Sequence, residues 1–466
     1  MPAQPTLEPP QSAQLPTQTP ADLPRLVGFL GASGVMIGVM IGSGIFRTPP
    51  EIAQHLASPT LILLAWALGG LLSLAGALTY TELSTMFPQS GGIYVFLREG
   101  FGRPLAFVFG WTYMLVTKPA AAAGIAVVSA ENINTLLGTH YDPSVITSLI
   151  LVVLTGLNIL GVRSSTRLGV VLTSLKMLAL LAIALLGLLF AAGLLSGPGA
   201  AHAKATWPPA GVPPKPYWLA IAPVMTAVMW TYDGWSDVGA IAGEVRNPSR
   251  TLPRLFALNT LAVTALYLAV NAVYLLLVPL SRMQTMDNVA PHVLGLLLGS
   301  AGTTAVTVII IVATIGSSHA SVMTGARVSF AQARDGLLFA FLAQTHPRFR
   351  TPHLSLLVQL ALSLAAIRFL GSFSRLANSF IFTMWIFYGL AGLSIFILRA
   401  RLPLAPRPFR CPGYPVVPAL FVLAALVMTV LSVRDDPLQT GIWLGVLASG
   451  FPVYYLWKLF QPAPRP

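Results

Sequence analysis

The chain is long, apolar and basic. Of its 466 residues, 55% are hydrophobic and 9% are charged; the mean hydropathy is +0.76 and the formal net charge is +13. Because a water-soluble domain carries about 25% charged residues, this composition excludes one. Recurring apolar stretches of about 20 residues predict an all-α polytopic protein of the lipid bilayer. The basic residues lie in short groups between those stretches, which indicates membrane topology and argues against a nucleic-acid partner.

The apolar stretches predict twelve membrane spans with a polar tail at each end. The spans lie at 27–56, 59–86, 104–135, 144–162, 167–195, 217–245, 254–280, 290–331, 354–371, 375–400, 415–433 and 440–460. Residues 1–24 are rich in Pro, Gln and Thr and lack a basic start before an apolar run. They predict a disordered cytoplasmic tail rather than a signal peptide. Residues 461–466 form a short C-terminal tail.

The basic residues are distributed unequally between the two ends of these spans. Most of the 27 lysine and arginine residues fall in the even-to-odd connections and in the two tails, while Lys118 and Lys176 lie within spans. The positive-inside rule then places both termini in the cytoplasm. We expect a multi-pass protein of the plasma membrane, in particular of a bacterial inner membrane.

Two of the predicted spans are interrupted by residues that do not favour a helix. Gly42–Gly44 break the first span and Tyr232–Trp235 break the sixth. Glycine costs roughly 1 kcal/mol against alanine inside a helix, and irregular backbone at membrane depth is tolerated only where it is buried in protein or lines a cavity. Broken segments at corresponding positions of two halves indicate a transporter binding site. The alternative, close helix packing through small residues, suits Gly34 and Gly38.

The first break predicts a site for a zwitterion. The amides of Ser43, Gly44 and Ile45 lie at the start of a half-helix, where backbone N–H groups and the helix dipole favour an anion. Carbonyls released on the other side of the break can accept hydrogen bonds from a cation. An α-amino acid carries both charges on neighbouring groups, so we expect an α-amino acid as the ligand.

Four motifs resemble the amino acid–polyamine–organocation superfamily, and within it the L-type amino acid transporter branch. They are IGSGIF (Ile41–Phe46), PQSGGIYVFLREGFG (Pro88–Gly102), YDGW followed by GEVRNPSRTLPR (Gly243–Arg254), and ARDG (Ala333–Gly336). The resemblance covers about residues 25–460 and implies a transporter domain of the leucine-transporter-like kind. Its five-plus-five inverted repeats would span about 25–200 and 215–400, with helices 1 and 6 broken and two extra helices in 411–460.

The resemblance also implies the substrate-binding residues. They are Ile41, Ser43, Gly44, Ile45, Trp230 and Asp233. In the family, the substrate carboxylate contacts the backbone that corresponds to Ser43, Gly44 and Ile45. The amino group contacts carbonyls near Ile41 and in the break of the sixth span, and the aromatic residue at the Trp230 position acts as a gate over the substrate.

Lys176 in the fifth span is the most informative single charge. It matches a lysine that takes the place of a sodium ion in sodium-coupled relatives, with Ser317 as its expected hydroxyl partner. An unpaired lysine at the bilayer centre costs several kcal/mol, so an intramembrane lysine indicates function, whereas snorkelling to the interface is the alternative. The match implies sodium-independent transport and leaves protons as the candidate coupling ion.

Arg47 and Glu244 are two other charged groups in the broken spans, and Arg47 permits two interpretations. Arg47 follows IGSGIF directly, and it either projects toward the vestibule, where it would repel cationic substrates, or pairs with Glu51 four residues on. Glu244 is expected to pair with Arg246 and Arg250 at the cytoplasmic end of the sixth span. Arg47 favours neutral substrates, whereas a carboxylate at Asp233 would suit cationic ones.

No catalytic residue, metal site or cofactor is predicted. Cys411, the one cysteine, excludes an internal disulfide and a Cys-rich metal site. The heavy-chain-linked animal members of the superfamily use a cysteine between spans three and four, which this chain lacks, so no obligate disulfide-linked subunit is expected. An intramembrane protease would need a positioned general base or a second catalytic aspartate, and neither is evident.

The sequence therefore predicts a non-enzymatic, sodium-independent secondary transporter of neutral L-α-amino acids. We expect it to work by alternating access, as an exchanger or as a proton-coupled permease. A cationic amino acid or polyamine permease is the alternative, and a channel is a remote one because two asymmetric broken helices around one site favour alternating access over a continuous pore.

Overall fold

The computed structural model describes residues 23–198, 216–371, 373–435 and 437–460. Within these ranges the regular structure is helical, apart from an isolated β-bridge between Val27 and Val245. Residues 1–22 of the predicted N-terminal tail and the whole predicted C-terminal tail, 461–466, lie outside the described residues.

The described residues before position 199 form eight α-helices. They are α1 (Phe29–Met40), α2 (Gly44–His55), α3 (Pro59–Met86), α4 (Ile93–Phe101), α5 (Arg103–Thr112), α6 (Lys118–Leu137), α7 (Pro143–Ile159) and α8 (Val162–Ala191). A π-helical turn, Tyr113–Thr117, joins α5 to α6.

The described residues after position 215 form nine more α-helices. They are α9 (Tyr217–Tyr232), α10 (Pro248–Leu277), α11 (Leu280–Met283), α12 (Ala290–Leu298), α13 (Ser300–Arg334), α14 (His353–Leu370), α15 (Phe373–Arg401), α16 (Val416–Asp435) and α17 (Pro437–Phe460). Two 3₁₀ segments, Trp235–Glu244 and Ala340–Ala343, complete the regular structure of this part.

Nine helical segments within the described ranges are long and apolar enough to cross a membrane. Helices α1 and α2 together form one of them, and α5 with α6 forms another. Helix α7 is also apolar but has only 17 residues. The chain is therefore an all-helical polytopic membrane protein, whereas the number of twelve spans stays a prediction.

Both interruptions that the sequence predicts are present as helix ends. Helix α1 ends at Met40 and α2 begins at Gly44, while α9 ends at Tyr232 and the 3₁₀ segment begins at Trp235. The second break turns at Gly234, whose φ of 106° lies in the left-handed region that glycine adopts without a steric penalty.

The predicted start of the eighth span is wrong. Residues 290–331 do not form one helix, because α12 ends at Leu298 and α13 begins at Ser300, with Gly299 at a φ of 65° between them. The short α12 packs against α8 and α13. Hydropathy averaged over the length of a span did not reveal this bend, whereas Gly299 and Gly302 were the available signal.

The helices that carry the breaks lie at the centre of the molecule. Helix α1 packs against α8, α10, α13 and the 3₁₀ segment Trp235–Glu244, and α2 packs against α9. The start of α2 touches the end of α9 so closely that a Cβ on Gly44 would lie 2.5 Å from Thr231 Oγ1. Thr48 and Thr231 share a hydrogen bond of 3.0 Å between their hydroxyls at the same contact. This packing brings the two breaks together.

Candidate functional site

A small cavity of about 30 Å³ lies between the two helix breaks. Its wall contains Gly42–Gly44 of the first break, and Trp230 and Asp233 at the second. Helix α6 contributes Lys118 and α13 contributes Ser321. The cavity therefore combines backbone of two half-helices with charged and hydroxyl side chains, at the centre of a membrane protein.

The first break presents donors to this cavity. The N–H groups in the first turn of a helix have no intrahelical acceptor, which applies to Gly44 and Ile45 at the start of α2. Ser43, the N-cap of α2, is buried, and its hydroxyl has no hydrogen-bond partner among the described residues. No acidic side chain occupies the first turn of α2. This part of the wall is electrostatically suited to an anion.

The six predicted substrate residues are not equally placed. Four of them, Ser43, Gly44, Trp230 and Asp233, line the cavity. Ile41 and Ile45 are fully buried and do not line it, so we expect only their backbone groups to act at the break. The substrate role of all six stays a prediction.

Lys176 of α8 is buried, and its ammonium reaches the first break. It donates to the carbonyl oxygens of Gly38 at 2.6 Å and Ile41 at 2.7 Å. It also lies 3.0 Å from Ser317 Oγ and 3.4 Å from the carbonyl of Ala313 on α13. Ser317 Oγ contacts the same Gly38 and Ile41 carbonyls at 2.6 and 2.7 Å. Lys176 therefore connects α8, α1 and α13, and its role as a substitute for sodium stays a prediction.

Asp233 is held from α15 and does not cap the segment that follows it. The hydroxyl of Tyr388 donates to Asp233 Oδ1, and the same hydroxyl lies 3.2 Å from Ser236 Oγ. Gly234 is the N-cap of the 3₁₀ segment, without a side-chain capping bond. The Asp233 carboxylate is thus available to the cavity that it lines.

This site contains an ion pair that was not predicted from the sequence. The ammonium of Lys118, at the start of α6, is bonded to Asp237 in the 3₁₀ segment, and both side chains are buried. Thr324 of α13 donates to the same carboxylate at 3.2 Å. Because charges inside a membrane protein pair with one another, an acid in the sixth span was the available signal for a partner of Lys118.

The expected pairing of Glu244 with Arg246 and Arg250 is wrong. Glu244 instead bonds to Arg327 of α13, with distances of 2.8 Å to Nε and 3.3 Å to Nη2, and both side chains are fully buried. Arg246 and Arg250 are exposed at the end of the 3₁₀ segment and the start of α10. Proximity in sequence suggested the wrong arginines, because Arg327 lies 83 positions away.

Arg47 has a partner that the sequence did not indicate. Its Nη1 lies 2.8 Å from Glu131 Oε2 of α6, and both side chains are about one-third exposed, at 32% and 41%. This partly exposed ion pair bridges α2 and α6. Since a carboxylate now lies beside it, Arg47 offers less net positive charge to an approaching substrate than its sequence position suggested.

The two motifs at residues 88–102 and 333–336 meet at one end of α13. Tyr94 Oη donates to Asp335 Oδ2 at 2.7 Å, Arg98 pairs with the same carboxylate, and Arg103 donates to the Asp335 carbonyl at 2.6 Å. Burial and, after it, the charge of Asp335 raise the pKa of Tyr94, which therefore stays a protonated donor. Helix α4 is fixed to the end of α13 by these contacts.

Comparison with known proteins identifies the family of this arrangement. The amino acid permease family model matches residues 27–455. The chain belongs to the amino acid permease family. This confirms the resemblance that the IGSGIF and YDGW motifs carry, and it makes the chain a transporter rather than an enzyme.

Named relatives cover nearly the whole chain. The serine/threonine exchanger SteT of Bacillus subtilis (strain 168) is 31% identical over 437 residues, which are 93% of this chain and 97% of the relative. A cystine/glutamate transporter of Homo sapiens is 31% identical over 455 residues, 97% of this chain and 88% of the relative. The large neutral amino acids transporter small subunit 2 of Homo sapiens is 28% identical over 454 residues, which are 95% of this chain and 82% of the relative.

Proposed function

We propose that this protein is a sodium-independent secondary transporter of neutral L-α-amino acids that works by alternating access across the plasma membrane. The observation that carries the proposal is the meeting of two helix breaks at one cavity, with the Lys176 ammonium bonded to the carbonyls of the first break. The named relatives, an exchanger and transporters of amino acids, support it. Exchange and proton-coupled uptake are the two modes compatible with it.

The substrate binds through its two charged groups. The carboxylate is held by the backbone N–H groups of Ser43, Gly44 and Ile45 at the start of α2, where the helix dipole adds to the hydrogen bonds. The amino group lies toward the second break, near Trp230 and Asp233. A cavity of about 30 Å³ is far smaller than ordinary small-molecule pockets, so the site widens when an amino acid enters.

The arrangement in the membrane completes the proposal. Twelve spans, in five-plus-five inverted repeats followed by two extra helices, with both termini in the cytoplasm, agree with the two breaks and with the distribution of basic residues. The Lys176 ammonium occupies the position where sodium-coupled carriers would need a cation, because it satisfies the carbonyls of Gly38 and Ile41 and the hydroxyl of Ser317. Sodium is then not required.

The test is uptake of L-amino acids into proteoliposomes that contain the purified protein, after thermal-shift screening of the twenty amino acids and common polyamines. Uptake should be unchanged when choline replaces sodium. Decarboxylated and N-acetylated analogues should compete at least tenfold worse than the parent amino acid, since each loses a charged hydrogen bond worth about 1.5–3 kcal/mol. Equal competition by the amine alone would contradict the zwitterion site and favour a polyamine carrier.

A cationic amino acid permease is the second candidate, and Asp233 is the observation that favours it. Its carboxylate lines the cavity and could hold a cationic side chain. Arg47 at the start of α2 argues for neutral side chains, although Glu131 partly neutralises it. Uptake of arginine or lysine tenfold better than of any neutral amino acid would decide for this candidate.

A further inference from the structure

Two acidic side chains and one basic side chain cluster at the second break. Asp233 and Lys118 line the cavity, and Asp237 is bonded to Lys118 behind it. The cluster therefore contains two carboxylates and one ammonium. If both carboxyl groups are ionised, the cluster carries one net negative charge. An uncompensated charge is costly at the centre of a membrane protein.

Asp237 is the compensated member of the cluster. It bonds to the Lys118 ammonium and accepts from Thr324 at 3.2 Å. The side chains of Lys118 and Asp237 are 3% and 6% exposed, so solvent does little to screen their attraction. This pair is a neutral unit, and the ammonium in it is already committed.

Asp233 receives a neutral donor instead. Tyr388 of α15 donates to its carboxylate. The charges that act on Asp233 are those of Asp237, which repels its ionised form, and Lys118, which attracts it from within the pair with Asp237. The other titratable groups near it are Tyr388 and, from the π-helical turn before α6, Tyr113. No lysine or arginine within the described ranges forms an ion pair with Asp233.

The carbonyls of the first break cannot easily replace Asp233 as partners of a substrate ammonium. The Gly38 and Ile41 carbonyls each accept from Lys176 and contact Ser317 Oγ. The Met40 carbonyl accepts from Tyr267 Oη at 2.7 Å and from the Gly42 amide at 3.1 Å. A carbonyl oxygen has two lone pairs, so these three acceptors are in use. A carboxylate has about four lone-pair sites, so Asp233, which lines the cavity, can accept a further donor beside Tyr388.

We propose that Asp233 binds a proton in the empty carrier and exchanges it for the α-ammonium group of the substrate. The O–H bond of the Asp233 carboxyl breaks, its proton passes to water, and the ammonium takes its place beside the carboxylate. The cluster of Asp233, Asp237 and Lys118 has no net charge before the exchange, and the substrate ammonium balances Asp233 after it. Each amino acid that binds therefore releases one proton. The inference rests on the proposed amino acid site.

The test is a proton count on the purified full-length protein. A neutral amino acid that binds is titrated into the protein by isothermal titration calorimetry, in buffers of different ionisation enthalpy. The heats should correspond to one proton released per amino acid at the lowest pH at which the protein stays folded. Over that range the Kd should fall tenfold for each unit rise in pH, and it should become independent of pH where Asp233 is ionised without substrate.

Three variants assign the proton to this carboxyl group. Asp233→Asn should bind the amino acid at least tenfold more weakly at high pH, with no proton release and no pH slope. Asp233→Glu should keep a release of one proton. Tyr388→Phe removes the neighbouring donor and should keep the release, because the proton belongs to the carboxyl group.

The possible results separate this inference from the proposed function. Binding of amino acid by the wild type without proton release would overturn the inference alone, whether or not the variants fold. Release that persists in Asp233→Asn would also overturn it, because it would assign the proton to another group such as Lys176. Failure of the wild type to bind any amino acid would instead remove the proposed function.

Discussion

Replacing Lys176 with alanine tests the centre of the site directly. The change removes an ammonium that connects α8 to the Gly38 and Ile41 carbonyls of α1 and to Ser317 of α13. We expect transport to be abolished or severely reduced while the protein still folds and inserts, because the lost contacts hold the first break and not the packing of whole helices.

The magnitude follows from the donors that remain. Ser317 Oγ also reaches both carbonyls, at 2.6 and 2.7 Å, but a hydroxyl has a single proton. Without Lys176, one of the two buried carbonyls therefore lacks a donor at any moment, which costs about 1–3 kcal/mol. That cost lowers the population of the ordered break roughly 5- to 150-fold.

Uptake into proteoliposomes measures the loss of transport, and a thermal melt in detergent measures separately whether the protein still folds. Lys176→Met keeps an apolar chain of similar length and should also lose transport, which distinguishes the charge from the volume. Lys176→Arg should not restore transport, since the planar guanidinium is larger and does not lose its proton. Lys458→Ala, at an exposed position near the end of α17, is the matched control and should transport normally.

Wild-type flux in Lys176→Ala, at equal amounts of folded protein, would refute this reasoning. Stimulation of wild-type transport by sodium would refute it as well, because the ammonium would then not occupy the place of the cation. Loss of folding in Lys176→Ala but not in Lys176→Met would assign the effect to packing.

Two further substitutions test the contacts around the site. Gly44→Ala should abolish uptake, because the new Cβ would lie 2.8 Å from Thr231 Cα and force α2 away from α9. Gly169→Ala is the control and should leave uptake unchanged, because its Cβ would have no atom within 4 Å. Glu244→Gln should destabilise the protein by about 3–5 kcal/mol in thermal or denaturant unfolding, because Arg327 would stay buried without its charge partner; a loss under 1 kcal/mol would contradict a buried pair.

Much of the fold class and part of the site could be predicted because they depend on local composition. The apolar stretches alone establish a polytopic helical membrane protein. Glycines at 42, 44 and 234 weaken a helix wherever they occur, so the two breaks were visible in the sequence. Lys176 was conspicuous because a lysine in an apolar segment is costly without a function.

The partners of the charged side chains were decided by the tertiary structure. Lys118 and Asp237 are 119 positions apart, and Glu244 and Arg327 are 83 apart. The bend at Gly299 lies inside one long apolar stretch, so hydropathy averaged over the length of a span did not mark it. Ion pairs and hydrogen bonds form only between groups a few ångströms apart, and which groups come that close depends on how the helices pack, which no local pattern encodes. For the same reason, only the packing of α8 and α13 against α1 shows that the Ile41 carbonyl already has its donors.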